Sequence, residues 1–384
     1  MNKFNTILSL VIFSLIITVA CSGPPDVMDT AIDKQKELDA KYEKATSEMA
    51  NDAKTKTDAD AKTKTDADAK TKADADAKTK AEADAKAKAD ASKPIVKIIN
   101  LSTKYSDQTL QALVDLSVSK IADRKSNIIA IAYDIGANKG NPITDMPFEE
   151  HEVLISKDQI ESTLNTIRSF LENDECIKGF GEEGRKETIN FEMERFTEWL
   201  ERGADATTQA QACATTRVVF NGAPTTQSEE DTLKTWVHEL YHALQQDIAL
   251  EPPAIDSWCD EEASQKSGWL VEGGADYFAQ HIYAEYKGLN GLDQIFKYGL
   301  QSFNETGAGL YDGGIARTGA AALRLLVERG AVKHDSIIDG SLFQKCERVS
   351  VYHDNNPDVK IAKSSWSEIQ YVYGKYSFKP SALK

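Results

Sequence analysis

His238 and His242 stand four residues apart in the segment His238-Glu239-Leu240-Tyr241-His242. On an α-helix that spacing sets one imidazole above the other on a single face. Two rings so placed can converge on one ion, with metal–nitrogen bonds of about 2.0–2.1 Å. Glu239 lies one step round the helix, beside such an ion rather than on it. A base must sit there to take a proton from a water that a metal has activated. The pattern points to metal-assisted hydrolysis.

A catalytic zinc takes three protein ligands and keeps one position open. The third donor is expected in the segment Gly268–Gln280, where Val271, Ala275, Phe278 and Ala279 recur at helical spacing. Glu272 and Asp276 are four apart and share a face of that helix. Glu272 can then bind the ion while Asp276 holds the second ring nitrogen of a ligand histidine. Gly273 and Gly274 weaken a helix by up to about 1 kcal/mol each, so close packing or substrate access must require them. Glu261 and Glu262 are alternatives at a shorter gap, but neither has an acid four residues on.

The two segments, His238-Glu239-Leu240-Tyr241-His242 and Trp269-Leu-Val-Glu272-Gly-Gly-Ala-Asp276-Tyr, resemble the gluzincin metallopeptidases. The resemblance covers roughly 90 residues and leaves residues 93–220 untouched. It implies Zn2+ held by His238, His242 and Glu272, with Glu239 as general base and Asp276 behind a ligand. It also implies a donor for the developing oxyanion. Tyr311, in Gly309-Leu-Tyr311-Asp-Gly-Gly314, precedes a helix as the donor tyrosine does in some zinc aminopeptidases; His281 and His334 are the other candidates. His281 is expected on a solvated face past the site, and His334 and His353 belong to no motif. The expected activity is hydrolysis of a peptide or protein, and nothing marks recognition of a free amino terminus.

The helix carrying the histidines is expected over residues 228–249. Ser228 is its N-cap, and Glu229, Glu230 and Asp231 suit the positive end of the dipole. Leu233, Trp236, Val237, Leu240 and Leu244 form its apolar face, and Pro252-Pro253 end it. Upstream, Ile95–Leu101, Asn127–Tyr133 and Arg217–Phe220 suggest strands, while Thr109–Ala122, Ser156–Leu171 and Glu187–Leu200 suggest helices. The fold class is therefore α+β: a small sheet beside the HExxH helix, then a mainly helical C-terminal lobe. Residues 93–220 make an N-terminal α/β region, and residues 221–384 the zinc peptidase region.

Residues 1–20 read as a secretion signal. Lys3 is followed by an apolar run, Ile7–Ala20, too short to span a bilayer. Thr18-Val19-Ala20-Cys21 resembles a bacterial lipobox with Thr where Leu is usual, which implies lipidation of Cys21. Residues 21–92 form a tether whose units start at Ala53, Ala61, Ala69, Ala77 and Ala85. With no apolar stripe it is expected to be a disordered or partly helical spacer, holding the folded body off the outer membrane surface. Cys176, Cys213, Cys259 and Cys346 remain. In a secreted chain they suggest two disulfides in any of three pairings. The net charge of −16 disfavours nucleic acid as a partner. A non-catalytic zinc-binding surface lipoprotein, such as an adhesin, is the rival reading; it has no use for Glu239.

Overall fold

A computed structural model describes residues 94–384, apart from 122–123, 125, 144–148, 211–215, 250–267, 307–314, 344–355 and 363–364. The signal segment, Cys21, the repeat tether, Glu261, Glu262, Tyr311 and His353 lie outside the described residues, as do all cysteines but Cys176. Cys176 is disulfide-bonded. No described helix is long and apolar enough to cross a membrane.

The fold is α+β. Strand β1 (Val96–Asn100) leads through helix α1 (Asp107–Lys120) to β2 (Asn127–Pro142). Strand β3 (Glu149–Val153) turns back along β2, and α2 (Lys157–Asn173), α3 (Glu175–Lys178) and α4 (Glu182–Arg202) follow. Strands β4 (Ala206–Ala210) and β5 (Thr216–Pro224) complete a mixed sheet in the order β1-β2-β5-β4, with β3 on the far part of β2. β1, β2 and β5 run parallel; β3 and β4 are antiparallel to their neighbours.

Parallel strands bury both faces, and β2 shows how. Ile128, Ala130 and Ala132 enter one core, while Ile129, Ile131, Tyr133 and Ile135 enter the other. This is the two-residue alternation of a pleated strand, apolar on both sides. The second core is closed by α2 and α4 through Ile167, Leu171, Phe196 and Trp199. The first is closed by α1 and by the helices of residues 229–249 and 268–287. The notional break after residue 220 falls inside β5, and the first core joins residues from both sides of it.

Helix α5 (Glu229–Ala249) carries the histidines across this sheet. The Ser228 hydroxyl accepts from the Asp231 amide at 3.1 Å, capping the helix as its sequence predicts. Leu233, Trp236, Val237, Leu240 and Leu244 are fully buried. At about 1.5–3 kcal/mol per large apolar side chain, this face holds α5 on the sheet far more firmly than its caps do. Helix α6 (Gly268–Lys287) lies against α5, followed by α7 (Gly291–Thr306), α8 (Ile315–Glu328), α9 (His334–Ile338) and α10 (Pro357–Ala362). A hairpin of β6 (Ile369–Val372) and β7 (Lys375–Phe378) ends the chain.

Candidate metal centre

Helices α5 and α6 bring three donor atoms together. His238 Nε2 and His242 Nε2 are 3.0 Å apart. Glu272 Oε2 lies 3.2 Å from the first and 3.6 Å from the second. Bonds of about 2.0–2.1 Å meeting at the tetrahedral angle require donors about 3.3–3.4 Å apart. The three observed spacings bracket that value, so the donor triangle fits a four-coordinate zinc. Glu272 Oε1 is buried without a hydrogen-bond partner, a costly feature that a cation beside the carboxylate offsets.

The electrostatics agree with a place for one positive charge. Burial disfavours a charged His242, yet the neighbouring Glu272 carboxylate raises its pKa to about 9. Burial likewise opposes ionisation of Glu272, but His242 and His238 hold it well below the usual carboxylate range. A proton can fill that place, and so can a divalent ion, which needs both imidazoles neutral.

Glu239 also approaches the pair, with a carboxylate oxygen within 4.8 Å of both donor nitrogens. By distance alone His238, Glu239 and His242 could form a ligand set. Glu272 is the better third donor, because its oxygen lies 3.2 and 3.6 Å from the two nitrogens and comes from a second helix. Glu239, 8 % exposed, is then left lining the same cavity.

Two helix contacts set this arrangement. A Cβ on Gly273 would lie 2.4 Å from the Gly319 carbonyl carbon, and one on Gly319 only 2.5 Å from the Trp269 oxygen. Only glycine at both positions lets α8 touch α6 one residue from Glu272. A Cβ on Gly274 would meet the Phe343 ring at 2.5 Å and the Gln245 amide at 3.4 Å. Close packing thus accounts for both helix-weakening glycines of α6.

Gln245 is the residue that the sequence did not single out. Its Oε1 lies 2.8 Å from His242 Nδ1, and its Nε2 donates to the Val271 carbonyl at 3.3 Å. It therefore ties the second ring nitrogen of His242 to the helix carrying Glu272. Asp276, expected in that role, bonds neither histidine. Its Oδ1 accepts from Gln280 Nε2 at 3.3 Å, and its Oδ2 is buried without a partner. The physical reason is reach: Gln245 is three residues past His242 on the same helix, whereas Asp276 lies a full turn beyond Glu272. An amide at i+3 from a ligand histidine was the available signal.

Asp231, Lys234, Thr235, His238, Glu239, Glu272, Asp276, Gln280, Ala316 and Arg317 line a cavity of about 230 Å³ beside the donors. His281 and His334 are not among the described residues that line it. His281 is two and a half turns past Glu272, on the opposite side of α6. Its ring faces that of His334 at 5.3 Å, and His334 Nδ1 is bonded to the Tyr277 hydroxyl at 2.9 Å. His281 is only partly solvated, with Glu285 at 3.8 Å.

No protein-family model matches the chain, and no curated protein or solved structure matches it significantly. The geometry of the centre is what bears on its chemistry.

Proposed function

We propose that the chain is a zinc-dependent peptidase acting outside the cytoplasm, anchored to a membrane through Cys21. The observation that carries this reading is the donor triangle of His238, His242 and Glu272, at 3.0, 3.2 and 3.6 Å, with Glu239 beside it. His238, His242 and Glu272 would hold the ion. Bound zinc supplies a Lewis acid that polarises the scissile carbonyl and acidifies the attacking water. Glu239 accepts the water proton and delivers it to the leaving nitrogen. Gln245 fixes the tautomer and orientation of His242. The apolar packing of α5 on the sheet, with the Gly273–Gly319 contact, keeps the donors in place. A peptide or protein is the substrate class, and an acidic surface suits neither DNA nor RNA.

Incubation of the zinc-loaded chain with a randomised peptide library, read by mass spectrometry, tests the reading. Wild type is expected to cleave and Glu239→Gln to retain zinc but lose cleavage by at least a hundredfold. Equal behaviour of the two proteins removes the catalytic role of Glu239. Zinc binding with no cleavage by either protein leaves the non-catalytic zinc-binding alternative standing.

A further inference from the structure

We infer that Arg317 is a substrate-binding residue that takes a carboxylate of the peptide inside the metal cavity. This rests on the peptidase reading and specifies its substrate class.

Among the described residues lining the cavity, the full-time cations are Lys234 and Arg317. Lys234 is committed. Its Nζ lies 2.6 Å from Glu230 Oε1 and 3.5 Å from the centre of the Tyr298 ring, and its side chain is only 5 % exposed. Arg317 is different. Its side chain is 33 % exposed, and its hydrogen bond to Asp231 is single, Nη2 to Oδ1 at 3.3 Å. A guanidinium has five N–H donors in a planar fork, and among the described residues this bond to Asp231 engages one of them. A pair as exposed as Arg317–Asp231 contributes little and is readily exchanged. A bidentate carboxylate, whose hydrogen bonds are shorter and roughly twice as strong as neutral ones, can displace or share it.

The residue is also held in position. Its guanidinium lies 5.3 Å from the Tyr298 ring centre, which supports one face of the fork. It stands on the first turn of α8, two residues before Gly319, where α8 touches α6 next to Glu272. The contact that fixes the ligand helix thus also fixes the distance between Arg317 and the ion. Arginine suits this task better than lysine, because two parallel N–H bonds fix a planar carboxylate in orientation as well as place.

The carboxylate can be the α-carboxylate of a chain end or the side chain of Asp or Glu. Two pairs of peptide libraries separate these sources: free-acid against amidated C-termini, and Asp/Glu-containing against Asn/Gln-containing sequences. Wild type is expected to favour one carboxylate-bearing member at least tenfold in kcat/KM, chiefly through KM. Arg317→Ala is expected to bring that ratio close to one, and Arg317→Lys to keep part of it. Asp231→Asn, which frees the guanidinium, is expected to raise the ratio. Wild-type cleavage with no preference in either pair overturns the inference and leaves the peptidase reading intact. A preference that survives in Arg317→Ala also overturns it. Cleavage of no library by the zinc-loaded protein removes both.

Discussion

Replacing Gln245 with Leu removes the one hydrogen bond that fixes the second nitrogen of His242, at almost constant volume. In the wild type Gln245 is 1 % exposed, with Oε1 2.8 Å from His242 Nδ1 and Nε2 3.3 Å from the Val271 carbonyl. The variant leaves Nδ1 buried without an acceptor, a cost of about 1–3 kcal/mol. That cost falls chiefly on the metal-loaded state, where Nδ1 must keep its proton if Nε2 is to bind the ion, whereas a neutral metal-free ring can move its proton to Nε2. Loss of a partner of this kind reduces metal affinity by about 10–100-fold, equivalent to about 1.4–2.8 kcal/mol, and the two estimates agree. Competition for zinc against a chromogenic chelator at fixed pH measures the effect directly. Asp276→Asn, run alongside, is expected to change zinc affinity less, because Asp276 bonds Gln280 and neither histidine. Wild-type affinity in Gln245→Leu, with a large loss in Asp276→Asn, refutes the assignment of Gln245 as the orienting group.

Two further outcomes test the frame around the centre. Asp134 accepts from Ser102 and Thr103 side chains and from the Thr103 amide at 2.8 Å, pinning the turn after β1. Although burial opposes its ionisation, these bonds with the nearby Lys104 keep its pKa below the ordinary carboxylate value. Asp134→Ala is therefore expected to lose about 2 kcal/mol. Because the folded pKa is the depressed one, that gap is full above about pH 5 and closes as pH falls below about 4, when wild type also loses the ionised acceptor. Urea melts at pH 7 and pH 3.5 read it; a gap that widens at low pH contradicts the account. Gly319→Ala drives a Cβ to 2.5 Å from the Trp269 oxygen and 2.9 Å from the Gly273 Cα. Overpacking of that kind costs about 1–3 kcal/mol, and thermal melting together with zinc titration should both register it. Gly181→Ala, with nothing within 4 Å of the added carbon, serves as the control and is expected to shift the melt little.

The local patterns carried the elements because each had one dominant physical cause. Four-residue spacing placed His238 and His242 on one helix face, and the apolar run around them named the buried side of α5. Ser228 was legible as a cap because an exposed serine before three acids has few other uses. The α+β class followed from apolar strand segments set among helical periods. What the chain could not disclose was tertiary. That α8 would press its Gly319 against Gly273 depends on two distant helices meeting, and neither glycine signals the other. Asp276 looked like the partner of a ligand histidine because it shares a face with Glu272. Gln245 took that position through a contact within α5 itself. His281 and His334, distant in sequence and part of no pattern, meet on the reverse of α6. Lys234 and Arg317 belong to no motif, and only the packing of the helices against one another brings them to one cavity.

The central claim concerns three side chains on one ion, and X-ray absorption at the zinc edge of purified, tag-free protein reaches it most directly. The account predicts stoichiometric zinc in a shell of light donors near 2.0–2.1 Å that includes two imidazoles, with Glu272→Ala losing most of the metal. Protein that stays free of zinc in excess ion contradicts it. So does a shell containing sulfur, or a spectrum that Glu272→Ala leaves unchanged.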